Sequence, residues 1–396
     1  MNRLACASIA LLAACATNGV SSDWNDRKPE PETVPVDGGT SAGEASTDGG
    51  LPEPPDAERP LVCGKTGYCE TRLPLSDEAS PLSLRGVWAV SSTDVWSVSA
   101  EGFVLHWDGA TWTTAYRTVH ELHSVWATAT DVWVGGERGL LLRRTADGTW
   151  SFVETGHVED IRGIYGSGAG DVWFGHDGAV DHYDGSTLTT YPLPVPALQF
   201  RSVFGRAGFG TYALYAEGCV YCGDSSNTSR ALVFELVPGQ ITDFNTAVSS
   251  QWGVYPVSAV VSGEADEGRR IFMFGYTKQS SNYGWTYLYA FFGKSTTRYF
   301  PQALRTPSRQ PMAITDPAEK VLPAQLPLPS WDLGGTAVRV HPAIGVGYRW
   351  DGGNFVLLPS LDMGYDFVPA TLFAVHGDSV NTWLVGDGFA LKGPTQ

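Results

Sequence analysis

Four basic side chains stand at one place in a repeated phrase. In Leu84-Arg-Gly-Val-Trp88, Leu122-His-Ser-Val-Trp126, Ile161-Arg-Gly-Ile-Tyr165 and Phe200-Arg-Ser-Val-Phe204, the second residue is Arg85, His123, Arg162 or Arg201. Guanidinium groups form paired hydrogen bonds with carboxylate or phosphate, and a protonated imidazole can join them. An arc of such groups would receive an acidic peptide, an acidic sugar or an anionic protein surface. That is unexpected in a chain of formal net charge −16. The competing reading is structural: each basic group pairs with an acid of the same phrase, Asp94, Asp131 or Asp171. In two later phrases the position is aromatic, Trp252 and Phe373, which would form a stacking wall or simply pack.

Other chemistry is sparse. No Ser–His–Asp signature, phosphate loop or zinc-binding helix stands out. His106, His120, His123, His176 and His182 are spaced singly and read as surface or strand residues. No catalytic residue, metal ligand or cofactor is assigned. The acidic balance argues against nucleic acid as a partner, because phosphate backbones need basic patches.

The elements that must position the arc follow from the period. The lead aromatics Trp88, Trp126 and Tyr165 are 38 and 39 residues apart, and Phe204 follows after 39 more. A period near 40 built of short β-rich runs and Gly/Asp turns marks a β-propeller, with one four-stranded blade per repeat. Residues 84–90, 95–99, 103–107 and 111–116 read as the four strands of one blade, with Asp108-Gly109 as a hairpin turn. The repeated Asp94, Asp131 and Asp171 read as turn caps. Looser units begin at Phe200, Trp252 and Met312. A seventh runs from Leu372 to Lys392 and stops after three strands. The segment 63–75 is the available donor of its fourth strand. The expectation is an all-β propeller over residues 61–396, of seven four-stranded blades with six or eight as the alternatives, the N-terminal strand completing the last blade and covering a sheet edge.

Residues 1–14 carry Arg3 and an apolar run that is too short to span a bilayer. They fit an export signal. Leu12-Ala-Ala-Cys15 resembles the bacterial lipobox, which implies a lipidated Cys15 as the first mature residue. Residues 16–60 hold ten Asp/Glu and three Lys/Arg among Pro, Gly, Ser and Thr. Such a segment is expected to stay disordered and to act as a tether. Export implies an oxidising compartment, so Cys63, Cys69, Cys219 and Cys222 are expected in disulfides. Three pairings are possible; 63–69 and 219–222 are favoured because each pair is close in sequence. Cys219-Val-Tyr-Cys222 also has redox and zinc spacing, without a βαβ context or a second ligand pair.

The phrases Trp107-Asp-Gly-Ala-Thr-Trp112, Asp147-Gly-Thr-Trp150 and Tyr183-Asp-Gly-Ser-Thr187 resemble the Asp-box turn of BNR-type propellers. That group includes sialidases and non-enzymatic repeat proteins. The Asp-box spacing is one residue shorter than in sialidases, and no Tyr–Glu nucleophile pair stands out. The whole unit is similar to repeat lipoproteins of deltaproteobacteria and to the propeller of the photosystem II assembly and stability factor. The resemblance implies a non-catalytic binding or scaffold propeller, exported and lipid-anchored to the bacterial outer membrane. Its partner would be an envelope protein or an acidic glycan, and the chain is expected to be a monomer. The alternatives are a sialidase-like glycan hydrolase and a surface adhesin.

Overall fold

The computed structural model describes residues 60–195, 198–217, 230–244, 254–262, 270–277, 285–292, 302–304, 330–334, 337–343, 346–350, 355–359, 361, 363 and 371–395. Cys15, Cys219, Cys222 and Trp252 lie outside the described residues.

The strands form seven four-stranded antiparallel sheets. Blade 1 comprises Leu84–Ser91, Asp94–Ser99, Phe103–Trp107 and Trp112–Arg117. Blade 2 comprises Leu122–Ala127, Val132–Gly136, Leu141–Arg144 and Trp150–Phe152. Blade 3 comprises Gly163–Gly168, Asp171–His176, Ala179–Tyr183 and Leu188–Pro192. Blade 4 is Gln199–Arg206, Gly210–Glu217, Arg230–Val237 and Gln240–Asp243. Blade 5 is Val254–Ser262, Arg270–Thr277, Trp285–Phe292 and Gln302–Leu304. Blade 6 is Ser330–Gly334, Ala337–Ala343, Val346–Trp350 and Phe355–Leu357. Blade 7 has Leu372–Gly377, Asn381–Gly386 and Phe389–Pro394, and takes Cys69–Glu70 as its outer strand.

The all-β propeller expected from the period is what forms. The N-terminal strand pairs antiparallel with the last one, Cys69 opposite Lys392 and Glu70 opposite Leu391. A Cys63–Cys69 disulfide locks the loop before that strand. Tyr68 then packs over Gly393, where a Cβ would meet its ring at 2.4 Å. Blade 7 in turn packs on blade 1: Trp383 and Val385 share a buried cluster with Leu84, Val95, Trp107 and Trp112. The three tryptophans meet edge-on or tilted with centroids 5.1–5.6 Å apart. Large aromatics bury much surface per residue, which suits thin sheets that must be sealed by their neighbours.

Two expectations change. The inner strand of blade 6 is Ser330–Gly334, with Trp331 as its lead aromatic. The Met312 start read from the sequence lies outside the described residues. Blade 5 begins at Val254, two residues after the expected start. The cause is the same in both: no Asp-Val-Trp marks these two units, so the alternating pattern could be read in more than one register.

The lead aromatics converge on the axis. Trp88 contacts Trp126 and Tyr165 at 6.3 Å and stacks on His376 at 4.1 Å. Trp126 and Tyr165 each lie over a glycine of the next blade. A Cβ on Gly166 would meet the Trp126 ring at 2.7 Å, and one on Gly205 would meet Tyr165 at 2.3 Å. The aromatic-then-small order of the repeat is therefore a stacking rule between blades.

Candidate functional site

Strand order sets two faces. Inner strands start, and second strands end, on the side of the inter-blade linkers; this is the linker face. The hairpins joining first to second and third to fourth strands lie on the opposite, hairpin face. Arg85, His123, Arg162, Arg201 and Phe373 all sit at inner-strand starts, and so on the linker face.

Their local backbone has a common feature. In blade 1, Leu84 pairs with Ser99 and Gly86 with Val98, leaving Arg85 as the extra residue of a bulge. His123, Arg201 and Phe373 are skipped in the same way in blades 2, 4 and 7. Arg162 stands just ahead of its strand, its N–H bonded to Gly175 O at 3.1 Å. In blade 5 the skipped residue is Val257, while Trp252 lies outside the described residues. Bulges re-aim a side chain away from the regular pleat. In blades 1, 2, 4, 5 and 7 they turn one residue out of the regular alternation.

The side chains form a ladder in which basic groups alternate with acids. The Arg85 guanidinium lies over the Phe373 ring at 4.1 Å. Its Nε is 3.4 Å from Glu121 Oε1. His123 stands between two acids, Nδ1 3.8 Å from Glu121 and Nε2 3.8 Å from Asp160. Arg162 Nη2 donates to Asp160 Oδ2 at 3.0 Å. Arg201 donates to Gln199 Oε1 at 2.6 Å and to Phe200 O at 3.1 Å. Glu121 lies directly before the inner strand of blade 2, and Asp160 lies three residues before that of blade 3.

Titration follows from these contacts. Burial lowers the His123 imidazole, against the pull of Glu121 and Asp160. Burial also lowers Arg201 to about 10, which leaves it charged at neutral pH. Burial by itself would raise Asp160, but the Arg138 N–H and the Arg162 guanidinium outweigh it and hold the carboxyl below the usual range. Phe373 is a platform for Arg85, so the aromatic position adds to the ladder by cation–π contact.

The repeated acids are on the other face and do not pair with the arc. Asp94 accepts from the Trp96 indole at 2.8 Å and faces His106 at 3.0 Å. Asp171 does the same with Trp173 at 3.0 Å and His182 at 2.8 Å. Asp131 pairs with Arg143 at 2.6 Å. These acids clip the second strand to the third across the sheet, so they are architectural, though not as turn caps. The turn caps are Asp108, Asp147, Asp184 and Asp378, whose carboxylates accept backbone N–H bonds of 2.6–3.0 Å.

One further group was not legible in the sequence. His157, Glu159 and His176 meet between blades 2 and 3 with Asp181 beneath them. The His-x-Glu spacing of 157 and 159 is its only local trace; His176 and Asp181 arrive through strand pairing.

No protein-family model matches the chain, and no curated protein matches it. Solved structures show the fold. Virginiamycin B lyase from Staphylococcus aureus superposes with a TM-score of 0.53 at 12% identity, covering 83% of this chain and 99% of its own. A structure of YCF48 bound to D1 peptide gives 0.55 at 14% identity, covering 85% and 100%. The extracellular domain of the putative hybrid two component system BT4673 from B. thetaiotaomicron gives 0.55 at 13%, covering 84% of this chain and 40% of that one.

Proposed function

We propose that this chain is a non-catalytic binding propeller of the bacterial envelope, held by lipid on Cys15 through the 16–60 tether, and that it docks a protein segment on the linker face. The observation that carries this is the ladder from Phe373 through Arg85, Glu121, His123, Asp160 and Arg162 toward Arg201. Its cations already have acids or acceptors beside them. A lone anion would have to displace those partners and gains little. A polypeptide carrying both charge signs can add to the ladder at both, which gives specificity and encounter rate. The half-exposed Arg162 is the member best placed to make a second contact.

The D1 peptide complex of YCF48 and the extracellular BT4673 domain support binding and export as roles for this fold. The glycan-hydrolase alternative needs a carboxyl that stays protonated beside a carboxylate. The acids among the arginines are ion-paired, and Asp160 is held ionised, which weighs against it.

The test is capture from solubilised envelope by the full chain and by an Arg85→Ala/Arg162→Ala/Arg201→Ala variant. The reading predicts a defined set of retained proteins that the variant loses by about tenfold or more, in line with truncated interfacial charge pairs. Equal retention by both would remove the arc from the account. For the anchor, Cys15→Ser should move the chain from the membrane to the soluble fraction.

A further inference from the structure

The four-residue group between blades 2 and 3 has the internal order of a metal site. His157 Nε2 lies 2.7 Å from Asp181 Oδ2, so it is the N–H donor to that carboxylate. This leaves His157 Nδ1 as the lone-pair nitrogen. It is buried without a hydrogen-bond partner and lies 3.5 Å from Glu159 Oε2. His176 Nδ1 lies 3.2 Å from Asp177 O, and a carbonyl only accepts, so Nδ1 carries the proton there too. His176 Nε2 is then also a lone-pair nitrogen, buried, unpartnered and 3.6 Å from Asp181 Oδ2. The His176 side chain is 4% exposed.

The charges around these nitrogens are negative. Asp181 is fully enclosed and accepts from Thr190 Oγ1 at 2.6 Å and from His157 Nε2 at 2.7 Å. The Val158 N–H donates to Glu159 Oε2 at 3.2 Å. Two buried, unpartnered imidazole lone pairs thus stand beside the enclosed Asp181 carboxylate, with the exposed Glu159 carboxylate at the rim, an arrangement that a cation relieves. In metal sites, a ligating histidine donates its other N–H to a carboxylate or a backbone carbonyl. His157 and His176 each do one of these.

We propose that His157 Nδ1, His176 Nε2 and Glu159 bind a divalent transition metal, zinc by ligand type, with Asp181 and Asp177 O as the outer supports. The three ligand atoms lie within 4.8 Å of one another. The imidazoles stack at 4.0 Å with 24° between their planes. Closing on an ion requires the rings to open and Glu159, exposed on its linker, to swing inward. Two histidines and a carboxylate leave a fourth position for water or for a partner's side chain. Glu159 adjoins Asp160 of the charge ladder, so an ion here would also pin the linker that supplies that acid. The site itself does not depend on the ladder's role.

The experiment is titration of the purified, metal-stripped full chain with Zn²⁺, by calorimetry and by Co²⁺ absorption, before and after thiol alkylation. One equivalent should bind whether or not thiols are blocked. Asp181→Asn should weaken it by about 10–100-fold, and His176→Gln should abolish it. Glu159→Gln changes an exposed side chain, so the fold is kept, and it should weaken binding by at least about tenfold. Near-UV circular dichroism checks each variant. The proposal is overturned by no stoichiometric uptake, which leaves protons as the only cations there, by unchanged affinity in Glu159→Gln, or by loss of binding on alkylation.

Discussion

At the residue scale, the same amino acid does different work on the two faces. Asp131 and Arg143 form a pair in which the acid is 9% exposed, and the guanidinium also reaches Tyr183 Oη at 2.8 Å. Arg143→Ala strands a buried carboxylate, and urea unfolding of that variant should lose about 3 kcal/mol. Arg162→Ala removes a half-exposed partner of Asp160 and should leave the urea midpoint nearly unmoved. His376 gives a pH signature. Its Nδ1 accepts from Ala89 N–H at 3.0 Å, and burial pushes its imidazole pKa down to about 3. The unfolded imidazole has its ordinary value, so unfolding takes up a proton. Stability is complete above about pH 6.5 and falls as pH drops toward 3, at up to about 1.4 kcal/mol per pH unit from this one group. His376→Phe keeps the stacking on Trp88 and should flatten that slope in urea melts run from pH 7 to pH 4. An unchanged slope would place the titration elsewhere.

At the element scale, the bulged inner-strand start and the borrowed outer strand define the molecule. The borrowed strand is only two residues long, and it holds through its surroundings: the Cys63–Cys69 bridge, Tyr68 against Gly393, and the Trp112 indole donating to Thr71 Oγ1 at 2.9 Å. Opening so short a loop by Cys63→Ser/Cys69→Ser should cost about 2 kcal/mol, and Tyr68→Ala about 3–5 kcal/mol as a buried aromatic truncation. Thermal melts that leave either variant unchanged would show that blade 7 does not need this strand. The borrowing was legible because Leu372 to Lys392 lacks a counterpart of Trp107-Asp-Gly-Ala-Thr-Trp112, and a missing strand has to be supplied. The bulges were not legible. Arg85 and His123 fit an unbroken alternation as well as a skipped residue, and only the partner strand decides between the two. Nor could the spacing show that Glu121 and Asp160, rather than Asp94, Asp131 and Asp171, answer the basic residues. The former sit on linkers whose path depends on how one blade meets the next.

At the scale of the whole molecule, the repeat separates architecture from opportunity. The hairpin face is occupied by turn caps and by Asp–Trp–His or Asp–Arg clips, each satisfied within its own blade. The axis is filled by Trp88, Trp126, Tyr165 and His376. The linker face carries the charge ladder and, one residue along, the histidine–carboxylate group. The axial packing tolerates little: Gly205→Ala drives a Cβ into the Tyr165 ring and should cost about 1–3 kcal/mol. The central claim, that partners dock on the linker face, is tested most directly by a photo-crosslinking residue placed in the full chain in living cells. One position is Glu121, within the ladder; the other is Asp184, an exposed acid in a turn on the hairpin face. The account predicts a discrete crosslinked protein from position 121 that is lost with Arg85→Ala/Arg162→Ala, and none from position 184. Crosslinks from 184 alone, or equally from both, would contradict it.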